Sequence, residues 1–459
     1  MFENGQIKEV EIIDINHTGQ GVARVDNFVV FVDNAVTGDI VEIEITDKKK
    51  NFAVGNLKRI IKESPKRIKP QCSYYYDCGG CQLMHLDYAA NLLYKKNRVI
   101  NELRRASVNM DEVNIHETMG MEEPFRYRNK TAFSVAEKNK EIIIGPYEQG
   151  TYNTVNISGC LLQTTEADRA VELFKNLMIK HNIKAYDKRT GNGSVKNVVV
   201  RSSRKNELMF IVVTSSENFP AKEKLVQELT IAIKEIKTVV QNINPKNTNL
   251  VMGHKNITLY GKGTITDTIG NLTFTISPET FFQINAQQTE KLYEKAIQYA
   301  DLKKDQVCFD IYCGIGTISL MAARNAKKVY GVEIVEQSII NAKENAAANN
   351  INNAEFFAGK AEVVLPKLYK KNIKADVVIV DPPRKGCEKE VIDTIISMKS
   401  NRIVYVSCNP STLARDIKLL EDGGYRLLEV QPVDQFPWTH HVECVILMQN
   451  CSSDDKSRG

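Results

Sequence analysis

From Asp305 onward the chain alternates short, wholly apolar runs with longer amphipathic segments, and few folds accept that pattern. The runs VCFDIY, KVYGVE, AEFFAG, DVVIVD and RIVYVSC carry apolar residues at successive positions, so both faces of each strand must be covered. Between them the spacing predicts helices over Thr317–Asn325 and Val335–Asn349, and another from about Ser411 through LARDIKLLE. Strands of this kind separated by helices define a parallel sheet covered on both sides, an α/β fold.

In such a sheet ligands bind in the crevice at the carboxyl ends of the strands. Asp310-Ile311-Tyr312-Cys313-Gly314-Ile315-Gly316 follows the first strand and opens a helix at Thr317; its glycines let the backbone turn sharply against a ligand. Glu333 ends the next strand, about twenty residues on, where a carboxylate can accept both ribose hydroxyls of a nucleoside. The third glycine of GxGxxG is missing, which leaves less room for a pyrophosphate. That favours a cofactor without phosphates, such as S-adenosylmethionine, over a dinucleotide. Asp381, followed by Pro382 and Pro383, ends strand DVVIV in the same crevice. It is either part of a proline-rich turn or a functional acid of a methyl-transferring enzyme, and the second reading is preferred.

The strand RIVYV ends at Ser407-Cys408-Asn409-Pro410, just before a helix. Cys408 is therefore expected at the crevice, where the helix N-terminus should lower its pKa and favour the nucleophilic thiolate. Cys308 and Cys444 fall within strands and read as core. Glu443 enters the strand CVILM from the loop Phe436-Pro437-Trp438-Thr439-His440-His441-Val442. Partial desolvation there is expected to raise its pKa and make it a competent base, with His440 and His441 as loop residues. A thiolate and a carboxylate beside a methyl donor suit one reaction. Carbon 5 of uracil is too weak a nucleophile to take a methyl group directly. If Cys408 adds to carbon 6, carbon 5 of the resulting enolate can attack a sulfonium methyl, after which a base removes the carbon 5 proton and the thiol leaves.

The first sixty residues read differently. VEIIDI, NFVVFV and DIVEIEI, broken by Thr18-Gly19-Gln20-Gly21 and Thr37-Gly38-Asp39, predict a small all-β barrel. The formal net charge of +5 is too small to name a polyanionic partner, but between Lys48 and Lys69 nine Lys or Arg stand against one acid, Glu63. Such a run is either a solvated edge or a phosphate-binding surface. The segment Asp87–Arg105 has helical spacing, with Leu92, Leu93, Val99, Ile100 and Leu103 opposite Lys95, Lys96, Arg98, Arg104 and Arg105. Residues Glu123–Gly263 are rich in strands, with a helix near Glu166–His181. No apolar run spans a bilayer and no export signal opens the chain, so the expected location is cytoplasmic and the ten cysteines are expected to be reduced. Cys72, Cys78 and Cys81, with the distant Cys160, offer four thiolates for tetrahedral zinc or an iron-sulfur cluster; spacing does not choose between them.

Together, SPETFFQIN, DIYCGIGT, DPPRKG, VSCNPSTLARD, FPWTHHVE and the cysteine pattern resemble the RNA uracil-5-carbon methyltransferases, close to their ribosomal-RNA branch, over nearly the whole chain. The resemblance implies Cys408 as nucleophile and Glu443 as base. It implies S-adenosylmethionine contacts from Gln283, Tyr312, Glu333 and Asp381, and places Phe281 near a flipped-out target base. It also implies a [4Fe-4S] cluster on Cys72, Cys78, Cys81 and Cys160, because that branch is similar to CxxxxxCGGCxLxH here, including Leu83 and His85. Residues Thr18–Arg24 resemble a TRAM domain, an RNA-binding barrel of the OB type. Lys360 departs from the pattern, standing where such enzymes often carry an acid. Arg126, Arg128 and Lys130 are further candidates for phosphate contacts.

The expected architecture is multidomain α/β. Residues 1–62 form a TRAM barrel; 63–265 a central α+β iron-sulfur domain, with a helix about 87–107 packing on the catalytic domain; 266–450 a Rossmann-like S-adenosylmethionine-dependent methyltransferase domain; and 451–459 a disordered tail. The expected activity is formation of 5-methyluridine in 23S rRNA by a monomer that binds RNA and no membrane. Two alternatives stand beside it. One is methylation of the T-loop uridine of tRNA, against which the barrel and cysteines speak because the simpler tRNA enzymes usually lack both. The other is a non-catalytic RNA-binding assembly factor, against which the intact Cys408 and Glu443 argue.

Overall fold

The computed structural model describes residues 3–26, 28–246, 248 and 250–451, so of the expected tail only Cys451 lies among the described residues. β1 (Ile7–Glu11) and β2 (Asp14–Ile15) are successive pieces of one stretch of chain. β1 pairs with β5 (Ile40–Lys48), whereas β2 pairs with β3 (Gly21–Val25). With β4 (Phe28–Val32) and β6 (Phe52–Lys62) the sheet order is β1-β5-β6-β4-β3-β2, so its two ends are neighbours in sequence and the sheet closes into a barrel. Alternate residues of β5, Val41, Ile43 and Ile45, fill the interior with Val30, Val32 and Ala53. Part of the basic run is matched: Lys49 meets Asp47 at 2.9 Å, Lys58 meets Glu44 at 3.0 Å and Arg59 meets Glu42 at 3.1 Å. Arg67 turns inward to Asp39 at 2.5 Å. The free cationic surface is therefore smaller than the composition implied.

α1 (Tyr88–Arg105) starts at Asp87, whose side chain accepts the Ala90 N–H. Its buried face is Asn91, Lys95, Val99 and Leu103, an i, i+4 row, while Leu93 is exposed. This corrects the expected stripe: Lys95, read as solvent-facing, is fully buried because Asp434 waits for it. After β7 (Asn114–Ile115) come β8 (Lys130–Lys138), β9 (Glu141–Gly145), α2 (Thr165–Lys180), β10 (Val195–Ser202), β11 (Leu208–Thr214), α3 (Lys222–Ala232), β12 (Ile236–Ile243) and β13 (Lys255–Tyr260). These strands form one sheet in the order β13-β12-β11-β10-β8-β9. Phe210 and Val212 pack under α2 and α3, whereas Met209, Ile211 and Val213 face the next core.

The hairpin β14 (Ile265–Ile269) and β15 (Leu272–Ile276) leads into α4 (Ala286–Ala300), β16 (Val307–Ile311), α5 (Thr317–Ala323), β17 (Lys328–Glu333), α6 (Glu336–Ala348), β18 (Ala354–Ala358), α7 (Ala361–Lys370), β19 (Val377–Val380), α8 (Lys389–Met398), β20 (Arg402–Ser407), α9 (Pro410–Asp422), β21 (Tyr425–Val433) and β22 (Glu443–Asn450). The sheet order is β18-β17-β16-β19-β20-β22-β21-β7. β18 through β20 run parallel, and β22 inserts antiparallel beside β20. Val377, Ile379, Val404 and Val406 face α4 and the central strands; Val378, Val380, Ile403 and Tyr405 face a second core shared with Val99 and Leu103 of α1. Each such fully buried side chain contributes about 1.5–3 kcal/mol, so these two apolar layers fix the strand ends that carry the site. No described helix is long and apolar enough to cross a membrane.

Candidate active site

β16 ends at Ile311, and the chain turns through Tyr312 (φ 70°), Gly314 (φ 55°) and Gly316 (φ 83°) into α5. A Cβ added at Gly314 would meet nothing within 4 Å, so this left-handed loop borders open space rather than packed protein. The Glu333 carboxylate accepts the Gly314 N–H at 3.3 Å and the Val335 N–H at 2.8 Å, which fixes it at the rim. Gln283, buried in the segment before α4, hydrogen-bonds Tyr293, whose hydroxyl also accepts from Thr317 at 3.4 Å. Asp310 and Asp381 end adjacent strands. Burial first, and then neighbouring carboxylates, push each up to about 7. Gln283 and Asp381 both act on Tyr293 and Glu333 holds the glycine turn, whereas Tyr312 hydrogen-bonds Cys387 and packs on the second core; an open glycine cradle beside a strand-end acid fits a nucleoside sulfonium. The acid missing at Lys360 has a neighbour in Glu362, two positions on in the first turn of α7, whose charge reaches Tyr312.

Antiparallel register pairs Ser407 with Cys444, which sets the next residue, Cys408, across from Glu443. Glu443 is 2% exposed and its Oε2 has no hydrogen-bond partner among the described residues. Burial and then the Asp381 charge push its carboxyl up to about 8, against the pull of Arg384. The backbone carbonyl of Arg384 accepts from Asn409 Nδ2 at 2.9 Å and Thr412 Oγ1 at 3.2 Å, tying this loop to the start of α9. The Cys408 thiol is pushed up to about 12 by burial and by the charges of Glu443 and Asp381. The expectation of a lowered pKa at the helix terminus is reversed: desolvation and two carboxylates outweigh the helix end. Phe281 is 69% exposed, an aromatic face open to a ligand. The His440 and His441 rings lie 4.2 Å apart and are driven down to about 4 and about 3 by burial and nearby cations, so both are neutral at pH 7. Sequence reading missed Tyr293 and Arg384; the latter lies within the quoted DPPRKG motif, a signal that it borders the site.

Cys72, Cys78, Cys81 and Cys160 are all free thiols. Cys72, Cys81 and Cys160 pack on one small cluster containing Tyr75, Met84, Tyr127 and Trp438. Burial first, then the other cysteines' charges, raise the Cys78 and Cys81 thiols, and the Arg128 charge counters this. The donor chemistry suits a four-thiolate group, yet among the described residues no set of three or more His, Cys, Asp or Glu is arranged to hold a metal ion. Two of the proposed phosphate contacts already meet protein groups, Arg126 while still exposed. Arg126 donates to Cys160 O at 2.8 Å and pairs with Asp168 at 2.6 Å, and Arg128 Nε is buried beside the cysteines. Lys130 is driven down to about 8 by burial and by Arg201.

The parallel sheet, its glycine cradle and the acid at the second strand's end define an S-adenosylmethionine-dependent methyltransferase. Residues 87–451 match the family described as tRNA (Uracil-5-)-methyltransferase, and residues 2–58 match the TRAM domain. The chain belongs to that family of RNA uracil-5-methyltransferases. A Bacillus cereus protein named as an uncharacterized RNA methyltransferase is 45% identical over 447 residues, 97% of each chain. One from Clostridium acetobutylicum, similarly named, is 45% identical over 96% of each. The crystal structure of Pyrococcus abyssi tRNA (uracil-54, C5)-methyltransferase in complex with S-adenosyl-L-homocysteine matches with TM-score 0.78 and 25% identity, over 96% of this chain and 100% of its own.

Proposed function

We propose that the protein forms 5-methyluridine in RNA through a covalent bond between Cys408 and carbon 6 of uracil. The observation that carries this is the placement of Cys408 across from Glu443, a dry carboxyl with one oxygen unpartnered. S-adenosylmethionine, held by Gln283, Tyr312, Glu333 and Asp381, supplies the methyl group on a sulfonium. Cys408, once deprotonated, adds to carbon 6 and makes carbon 5 nucleophilic. Once carbon 5 is methylated, Glu443 takes its proton, the ring double bond re-forms and Cys408 leaves as the thiolate. Phe281 offers a stacking face to the flipped base.

The substrate we propose is 23S rRNA, on the resemblance of the barrel and cysteine pattern to the ribosomal-RNA branch. The tRNA reading gains from the Pyrococcus abyssi likeness: at 96% coverage it includes the barrel, so a barrel does not by itself speak against tRNA. Mapping 5-methyluridine in both RNAs from cells lacking the protein separates the two. Cys408→Ala is expected to abolish methylation and Glu443→Gln to trap a covalent RNA adduct; activity surviving the first change refutes the mechanism.

We further propose that Cys72, Cys78, Cys81 and Cys160 hold a [4Fe-4S] cluster that ties the cysteine loop to the segment around Cys160. The support is the motif resemblance, together with the electrostatic reach of Cys72, Cys78 and Cys160 to Cys81. Iron and sulfide after anaerobic purification are expected; zinc without either overturns the proposal.

A further inference from the structure

The chain leaves β21 at Val433 and returns at Glu443, its register partner, so residues 434–442 form an excursion closed at its base by Glu443 itself. This excursion is held by its carbonyl oxygens. Lys95 Nζ donates to Phe436 O at 3.0 Å, Tyr127 Oη to Pro437 O at 3.1 Å, and the Gln82 and Leu83 N–H groups to Trp438 O at 3.0 and 2.9 Å. Arg98 donates to His440 O. These donors come from α1, the cysteine loop and the strand-rich segment, none of which lies near Glu443 in sequence. At the start of the excursion the Lys95 ammonium is paired with Asp434, and both side chains are 0% exposed. A buried ion pair contributes little net stability, because desolvating both charges offsets their attraction; what it does well is fix one geometry.

We propose that Lys95 is a positioning residue for Glu443, clamping the 434–442 excursion so that the carboxyl stays dry and aimed at the uracil carbon 5 proton. This rests on the reading of Glu443 as the base. The step that depends on it is the last one: Glu443 takes the proton, its electron pair restores the carbon 5–carbon 6 double bond, and the Cys408–carbon 6 bond breaks with its pair on sulfur. Addition of Cys408 precedes the need for the base. Weakening the clamp therefore slows resolution of the adduct more than its formation, which a general loss of structure does not do.

The test uses the full-length protein with S-adenosylmethionine and mixed ribosomal and transfer RNA from cells lacking it. Lys95→Met is expected to lower kcat about 30-fold, keep KM for RNA within about 3-fold, and accumulate a covalent protein–RNA adduct on denaturing gels. Tyr127→Phe, which deletes one hydroxyl, is expected to give the same signature at about 5-fold, and carries the test if Lys95→Met does not fold. If Glu443→Gln accumulates adduct and neither variant does, the positioning role is overturned. If Glu443→Gln itself accumulates none, it is the assignment of the base that fails, and the positioning role falls with it.

Discussion

Asp381 lies close enough to the buried Glu443 that its negative charge holds back the ionisation of Glu443. Asp381 acts on the Cys408 thiol in the same direction. Arg384, on the turn after Pro383, opposes both effects. Beyond burial, which is the largest cause for both, the proton affinities of the proposed nucleophile and base are tuned jointly by one acid and one cation that lie three residues apart in the chain.

Asp381→Asn removes the repulsion and leaves Arg384. The pH at which Cys408 becomes reactive should move down, seen as faster alkylation by iodoacetamide at pH 8, with mass spectrometry of the Cys408 peptide as the measurement. Unchanged or slower alkylation contradicts the assigned coupling.

Arg384→Met acts in the opposite sense and raises both groups. Alkylation of Cys408 should slow at every pH between 7 and 9, and methylation should need a higher pH to reach its plateau. A variant whose pH profile overlays the parent's speaks against a role for the guanidinium.

Glu443, held near 8, keeps its proton in the native state over a range where an unfolded glutamate, near 4.3, has lost it. The native state then binds more protons than the unfolded one, so stability falls as pH rises from about 4.3 to about 8. Glu443→Gln removes that slope. The variant should melt higher than the parent at pH 8.5, with up to about 5 kcal/mol in play, and the gap should shrink towards pH 4. A melting difference independent of pH does not fit the raised carboxyl.

Arg67→Met leaves Asp39 buried without its cation, although the Ser64 and Val36 N–H groups still reach it. Stranding one partner of such a pair costs about 3–5 kcal/mol, so urea unfolding of the barrel should shift to lower concentration. An unshifted midpoint indicates that the backbone donors alone hold the carboxylate.

The catalytic sheet was legible because each strand is apolar on both faces and each crevice residue ends a strand, where the motif itself marks the turn. The same logic placed Cys408 and Glu443, and burial of Glu443 followed from its entry into a strand. What local pattern could not show is anything decided by a partner far along the chain. Lys95 shares an i, i+4 row with Val99 and Leu103, yet its charge alone reads as solvent-facing, and only the fold reveals Asp434 opposite it. Arg126 looks like a phosphate ligand until Asp168 is beside it. The direction of the Cys408 shift was misjudged for a related reason: a helix end is visible in sequence, whereas two carboxylates arriving from other strands are not.

β7, only Asn114–Ile115, caps the edge of the catalytic sheet by pairing with Glu429 and Val430 more than three hundred residues later. α1 likewise lends Val99 and Leu103 to the core beneath that sheet. The methyltransferase unit is therefore discontinuous in sequence. A fragment cut at residue 266 would carry a bare strand edge and an open apolar face, both invitations to aggregate. Grafting this catalytic unit onto another RNA-binding module requires moving residues 88–121 with it, so recombination within this family should favour crossovers before α1 over crossovers at the apparent start of the α/β fold.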